Sequence, residues 1–274
     1  MNTARTLLLL LFVLIVQACG LLPEEEDKTK GWSAQKLYSE ASAAMQSGDY
    51  QNAIKYYEKL EARYPFGRYA MQSQLDVAYA YYKYDEPESA IAACDRFIKL
   101  YPNSQATPYA YYLKGIVNFN RNLGLLERYV PTDPSQRDAA AAVESYKDFE
   151  ELVRRFPNSD YAKDARQRMI YLNNNLARYE VHVANYYLRR GAYLAAVNRA
   201  SQVVEKFQRT PAVRDALLVM IEAYDKLGMQ DLANDSRRVL ALNDAKGTFA
   251  TDATLPAEKT WGKEIWDYLE LDRN

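Results

Sequence analysis

The sequence predicts an all-α array of stacked helix pairs, and three observations lead to this fold class. A unit of helix entry, helix and stop, GDYQNAIKYYEKLEARYP, spans Gly48 to Pro65, and its apolar residues fall on one helical face. The unit recurs 37 positions later and then three more times. The repeat register runs through Ala53, Ala90, Ser145, Ala196 and Ala233. We expect Ala53, Ala90 and Ala196 to be small because two helices cross closely there. A repeat of this length is typical of a helical solenoid, in which each pair needs its neighbour to bury its apolar face.

The five copies predict five helix pairs, bounded by Gly, Pro and capping residues. In chain order the predicted helices cover 33–47 and 50–63, 68–84 and 87–100, Pro108 onward and 136–155, 160–190 and 192–207, and 211–227 and 230–243.

Two copies are longer than the repeat. Ala90 and Ser145 are 55 positions apart, 18 more than one period, and the excess falls at 120–136, where we expect a long ordered loop. Ser145 and Ala196 are 51 positions apart, and no Pro or Gly lies between Asp160 and Arg190. The excess of 14 residues is close to four helical turns, so it predicts one helix of about 30 residues that keeps its face.

The N-terminus predicts a processing signal over 1–18, with Arg5 before the apolar run Leu7–Val16. This run is too short for a permanent membrane span, which needs ~20 residues. The following Val-Gln-Ala-Cys resembles a bacterial lipobox, which predicts lipidation of Cys19 and a flexible tether over 19–32. Gly20 in place of Asp favours the outer membrane. The alternative is an ordinary secretory signal with a chance cysteine.

Composition gives little support to catalysis. The net charge of −1 offers no nucleic-acid footprint, and no Gly-rich phosphate loop is present. The single histidine, His182, falls inside the predicted long helix and is interpreted as structural. Cys94 occupies a core position of the second copy and is expected to be a buried hydrophobe. We therefore predict no enzyme activity, no metal and no cofactor.

The predicted domain organisation follows the repeats. Residues 33–157 form an N-terminal group of repeats 1–3, and 158–243 form a C-terminal group of repeats 4 and 5. Residues 244–274 are a tail, in which 256–271 have the pattern of a last short helix.

The repeats resemble tetratricopeptide repeats, and the whole chain resembles the BamD family of lipoproteins from the β-barrel assembly machinery. The resemblance covers about 30–243 and is carried by the segments Arg63–Gly67, Ala80–Lys83, Asp95–Ile98, Phe156–Ser159, Arg190–Tyr193 and Val197–Arg199. It implies a tetratricopeptide superhelix anchored in the cell outer membrane and facing the periplasm. It also implies BamA, BamC and BamE-like lipoproteins as partners, and unfolded outer-membrane proteins, bound by their C-terminal strands, as cargo. The tail departs from the family pattern.

Tyrosine is the candidate for cargo recognition, since its ring gives contact area and its hydroxyl can meet a peptide backbone. The repeat register places five tyrosines on the concave face, with Lys83 and Arg68 as candidates for the peptide carboxylate. The alternatives are that some of these rings pack between repeats, and that the loop at 120–136 binds cargo. The proposed groove residues are Tyr38, Tyr79, Tyr82, Tyr109 and Tyr112.

Arg199 is the candidate for partner binding. It lies three residues beyond Ala196 on an outer helix, and the resemblance implies that it contacts BamA. The alternative is a solvated arginine. Two further functions stay open for the whole chain: a pilotin-like lipoprotein that assists a secretin, and a cell-wall hydrolase. The long loop and the Arg63–Gly67 segment favour the BamD family over a pilotin.

Overall fold

The computed structural model describes residues 27–121, 139–247 and 249. Within these ranges the regular structure is helical, and consecutive helices pack on each other as five pairs. This confirms the predicted all-α superhelix of helix pairs. The helices are α1 Ala34–Gln46, α2 Tyr50–Arg63, α3 Arg68–Lys83, α4 Pro87–Leu100, α5 Thr107–Asn120, α6 Ala139–Arg155, α7 Asp160–Arg189, α8 Tyr193–Lys206, α9 Ala212–Lys226 and α10 Gln230–Lys246.

The small residues of the repeat lie where helices cross. Ala53, Ala90, Ser145, Ala196 and Ala233 are all fully buried. In the third pair the Ser145 hydroxyl donates to the carbonyl of Gly115 at 2.9 Å. A Cβ atom placed on Gly115 would lie 2.5 Å from the ring of Phe149. The crossing of α5 and α6 therefore has no room for a side chain at position 115.

The turn inside four of the pairs requires a left-handed backbone. Gly48, Gly191 and Gly228 supply it with φ of 80°, 75° and 73°. The second pair has Asp85 at the corresponding place, with φ of 67°. Aspartate tolerates this region better than most residues, so the turn is kept there without glycine.

The long fourth-copy helix is confirmed: α7 has 30 residues and is ~45 Å long at 1.5 Å per residue. Two hydrophobic clusters meet along it. One runs from Leu37 in α1 to Leu172 in the first half of α7, and the other runs from Ala177 to Ala223 in α9. The two clusters thus share this helix.

Residues 27–32, predicted as the end of a flexible tether, lie against α2 instead. The carboxylate of Asp27 accepts hydrogen bonds from Lys59 and Arg63, and Arg63 also donates to the Thr29 hydroxyl at 2.9 Å. Thr29 is buried. The bond from Lys59 is the main reason that the pKa of Asp27 lies well below its usual range. We call Asp27–Trp32 the clasp.

The last helix is longer than predicted, since α10 continues to Lys246 and ends at Gly247 with φ of 59°. No Pro or Gly precedes Gly247 in this helix. Gly247 is therefore the first residue that favours a helix end, and the helix ends there. Cys19, the loop residues 122–136 and the tail from 250 lie outside the described residues. The division into two repeat groups stays a prediction.

Candidate partner-binding surface

Tyr38, the first predicted groove residue, is part of the core. Its ring is buried, and its hydroxyl donates to Oδ2 of Asp76 in α3 at 2.9 Å. The Gln72 amide donates to the other oxygen of Asp76 at 3.0 Å. Burial raises the pKa of Asp76 to about 6 and the pKa of Tyr38 well above its usual value. The pair therefore ties α1 to α3, the first helices of successive repeats.

Tyr112 repeats the arrangement between α5 and α7. Its hydroxyl donates to Oδ2 of Asp164 at 2.6 Å, and Nε of Arg168 donates to the same oxygen at 2.7 Å. The side chains of Arg168 and Asp164 are only 6% and 10% exposed. The Arg168 guanidinium also lies 5.1 Å from the ring centre of Phe119. The Tyr112 hydroxyl thus binds a buried carboxylate of the next repeat, as the Tyr38 hydroxyl binds Asp76.

Tyr109 is buried as well, with its ring centre 5.6 Å from that of Tyr161. The groove prediction was therefore wrong for Tyr38, Tyr109 and Tyr112, which pack between repeats. The repeat register placed these tyrosines correctly on the first helix of each pair. The first helix of the next pair lies close enough to cover them, so the rings are not open to a bound peptide.

Tyr79 and Tyr82 remain accessible. Both are half-buried on α3, with ring centres 6.2 Å apart. Asn120, at the end of α5, donates to the Tyr82 hydroxyl at 2.7 Å. Burial raises the pKa of Tyr79 to about 12, so its hydroxyl keeps its proton at neutral pH and can donate to a peptide carbonyl. These two rings form a small aromatic step between the second and third repeats.

The two candidate carboxylate ligands are exposed and rest on aromatic rings. The Arg68 guanidinium lies 5.0 Å from the ring centre of Tyr69, and the Lys83 ammonium lies 6.0 Å from that of Tyr50. Lys83 lies four residues after Tyr79 in α3, on the same helical face, so it is the better placed to accompany the aromatic step.

Arg199 lies on α8 and is 41% exposed. Its Nη1 lies 3.0 Å from Oε2 of Glu180 on α7, and Glu180 is the more buried member, 19% exposed. The ion pair orients the guanidinium and leaves part of it free to meet a further acceptor. The sequence singled out Arg199 as a candidate but did not indicate that it pairs with Glu180.

Two further residues that could carry chemistry, His182 and Cys94, lie on different helices. His182 is exposed and lines an open concavity of about 470 Å³ along α7, together with Tyr186 and Arg189. Cys94 is fully buried, as expected, and burial raises the pKa of its thiol. Among the described residues, no group of His, Cys, Asp and Glu has the geometry to hold a metal ion. None of the described helices is long and apolar enough to cross a bilayer.

Sequence reasoning missed the carboxylates Asp76 and Asp164, which hold the buried tyrosines. It also missed Phe66, whose side chain is 89% exposed. A usable signal existed for Phe66, because it follows Pro65 at the place where Asn103 follows Pro102 and Asn158 follows Pro157.

Comparison with known proteins identifies the family. The sequence model of YfiO, described as outer membrane lipoprotein, matches residues 31–240. Several relatives carry the name outer membrane protein assembly factor BamD, among them the following three. That of Neisseria meningitidis serogroup A is 45% identical over 258 residues, covering 93% of this chain and 95% of its own. That of Vibrio cholerae is 38% identical, covering 76% and 86%, and that of Haemophilus influenzae is 31% identical, covering 91% and 94%.

Among solved structures, the crystal structure of MamA covers 80% of this chain and 97% of its own at 19% identity. Its TM-score of 0.29 is too low to support a structural comparison. The family match spans nearly all of the described helices, and the relatives' name does not favour a pilotin. The chain belongs to the YfiO family of outer membrane lipoproteins, the family of the relatives named BamD.

Proposed function

We propose that this chain is a subunit of the outer-membrane β-barrel assembly machinery, where it serves as a scaffold for the insertase BamA and as a receptor for unfolded outer-membrane proteins. The observation that carries the proposal is 45% identity, over 93% of the chain, to a relative named outer membrane protein assembly factor BamD. A superhelix of helix pairs offers the extended surfaces that such a role needs. The chain acts by binding, without catalysis, and BamC and BamE-like lipoproteins complete the assembly.

The proposed location is the periplasmic face of the outer membrane, through acyl chains on Cys19. Two or more chains give a stable anchor, whereas one chain binds only marginally. The family description as outer membrane lipoprotein supports this location.

Arg199 is the proposed contact to BamA. Its guanidinium is oriented by Glu180 yet 41% exposed, so it can form a second charge-assisted bond to a carboxylate of the partner. Its place on α8 puts this contact in the C-terminal group of repeats, away from the aromatic step on α3. Partner and cargo can therefore bind at the same time.

Replacing Arg199 with glutamate is expected to abolish most co-purification of BamA from detergent-solubilised membranes, since a like charge would face the partner's carboxylate. The new Glu would also face Glu180, so the melting temperature of the variant must be measured alongside. Arg214→Glu is the matched control, because Arg214 also pairs with an acid, Asp244 at 3.2 Å, and is 48% exposed. Normal recovery of BamA with a folded Arg199→Glu variant would refute the contact.

Tyr79 and Tyr82 are the proposed binding site for the C-terminal strand of the cargo. A strand that alternates apolar and polar residues can place one apolar side chain on the aromatic step and its carboxylate near Lys83. Both rings are half-buried on the second repeat, so part of each ring is accessible to an apolar side chain of the strand. Recognition of this kind tolerates sequence variation, as a receptor for many cargo proteins requires.

The double variant Tyr79→Ala, Tyr82→Ala is expected to weaken binding of a labelled C-terminal strand peptide by about 30-fold, at ~1 kcal/mol for each ring. Fluorescence anisotropy with the chain lacking residues 1–19 measures this. Tyr186→Ala on α7, where the ring is 48% exposed, serves as a control that removes an accessible tyrosine elsewhere. Unchanged binding by the double variant would move the cargo site away from α3.

A further inference from the structure

Phe66 stands out among the exposed apolar residues of the described chain. It lies in the turn between α2 and α3, and 89% of its side chain is accessible to water. The corresponding positions after the second and third copies hold Asn103 and Asn158, which are also exposed. The turn itself therefore accepts a polar residue, and packing does not require an aromatic ring there. A single exposed ring is common on protein surfaces, so the position of this turn relative to the lipid anchor decides what the ring can meet.

The clasp brings the first described residues to the same edge. Asp27 is bound by Lys59 and Arg63 at the end of α2, and Phe66 follows Arg63 by three residues. Cys19 precedes Asp27 by eight residues. Eight residues span at most ~28 Å even when fully extended. A lipid on Cys19 would therefore hold this edge, and not the other end of the array, close to the bilayer surface.

The turn and the clasp together carry aromatic and basic side chains, a composition that suits a membrane interface. The Tyr64 hydroxyl donates to the carbonyl of Trp32 at 2.8 Å, which joins the turn to the clasp. Lys28, Lys30 and Arg68 are exposed on the clasp and at the start of α3. Aromatic rings with basic neighbours suit the headgroup region, where the ring enters the acyl boundary and the cations meet phosphate.

We propose that the turn Tyr64–Gly67 is a membrane contact, with Phe66 inserted among the lipid headgroups of the leaflet that carries the anchor. The inference rests on the lipid anchor at Cys19 proposed above. It gives the first repeat a fixed orientation: the end of α2 faces the bilayer, and the later repeats extend away from it.

Site-specific labelling of the lipidated full-length chain tests this. Phe66→Cys is labelled with an environment-sensitive fluorophore, and the protein is reconstituted into vesicles of phosphatidylethanolamine and phosphatidylglycerol that contain doxyl-labelled lipid. Cys94 is fully buried and the Cys19 thiol carries the lipid, so the label reports on one position. The matched control is Asn103→Cys, at the exposed residue that follows the proline in the connection one repeat later.

We expect the label at position 66 to shift to the blue and to be quenched by the doxyl lipid at least threefold more than the label at position 103. Equal quenching at the two positions, or a water-like spectrum at position 66, would overturn the proposal. So would a shift at position 66 that arises only after BamA or another protein is added, since this would assign the ring to a protein partner. Flotation of both labelled proteins with the vesicles tests the anchor separately; if neither floats, the anchor at Cys19 is refuted and this inference with it.

Discussion

Replacing Asp164 with alanine is expected to lower the free energy of unfolding by about 3–5 kcal/mol, the largest effect of any single substitution considered for this chain. The change leaves the Arg168 guanidinium, 6% exposed, without its carboxylate. It also removes the acceptor of the Tyr112 hydroxyl. An uncompensated buried charge and the loss of a buried hydrogen bond both cost free energy. Denaturant titration followed by circular dichroism measures the change.

Two controls separate the buried ion pair from ion pairs in general. Asp235→Ala removes an exposed pair, with Asp235 58% and Arg238 75% accessible, and is expected to cost at most ~1 kcal/mol. The triple change Asp164→Leu, Arg168→Met, Tyr112→Phe removes all the buried polar groups together and is expected to restore most of the stability. An Asp164→Ala variant no less stable than Asp235→Ala would mean that water reaches Arg168.

Gly115→Ala is expected to destabilise the fold by ~1–3 kcal/mol, although alanine is normally favoured over glycine inside a helix by ~1 kcal/mol. The added Cβ would lie 2.5 Å from the ring of Phe149. That ring cannot move aside easily, because it is fully buried and its centre is 5.8 Å from that of Tyr112. The melting temperature should fall accordingly.

A double-mutant cycle with Phe149→Leu tests the cause. If the clash with the ring is responsible, the double variant should lose less stability than the sum of the two single variants. An increase of the melting temperature in Gly115→Ala alone would show that α5 and α6 cross more loosely than the structure has them.

The helices were predictable because local signals agree along this chain. A few neighbouring residues define each left-handed turn, at Gly48, Gly191 and Gly228. The same is true of the cap at Asp49, whose Oδ1 accepts a hydrogen bond from the backbone N–H of Asn52 at 3.2 Å. The 30-residue α7 was predictable because nothing between Asp160 and Arg189 interrupts a helix.

The tyrosines were harder to place, since one residue type serves both the core and the surface. Tyr38 and Tyr79 are both on first helices, yet one is buried and the other half-buried. The difference comes from Asp76 in the next repeat. Its carboxylate accepts a hydrogen bond from the Tyr38 hydroxyl, which allows the whole Tyr38 side chain to be buried. Such a pairing depends on how successive repeats are rotated, which spacing along the sequence does not define.

The clasp was missed for a related reason. Residues 27–32 are polar and read as a linker, but Lys59 and Arg63 provide donors for Asp27 and Thr29 on an otherwise solvated face of α2. Charge complementarity over more than thirty positions is not visible in a local pattern.

The sharing of α7 by both hydrophobic clusters has a consequence for how the array comes apart. In most repeat proteins each unit touches only its neighbours, and units at one end can fray while the rest stays folded. Here the last residue of one cluster, Leu172, and the first of the other, Ala177, are a little more than one turn apart on one helix. If either cluster unfolds, half of α7 loses the residues that it packs against. The free energy that stabilises the other half of α7 is then reduced as well. A pull applied to the first repeat is therefore transmitted through α7 to the fourth, the two places where the anchor and the BamA contact are proposed.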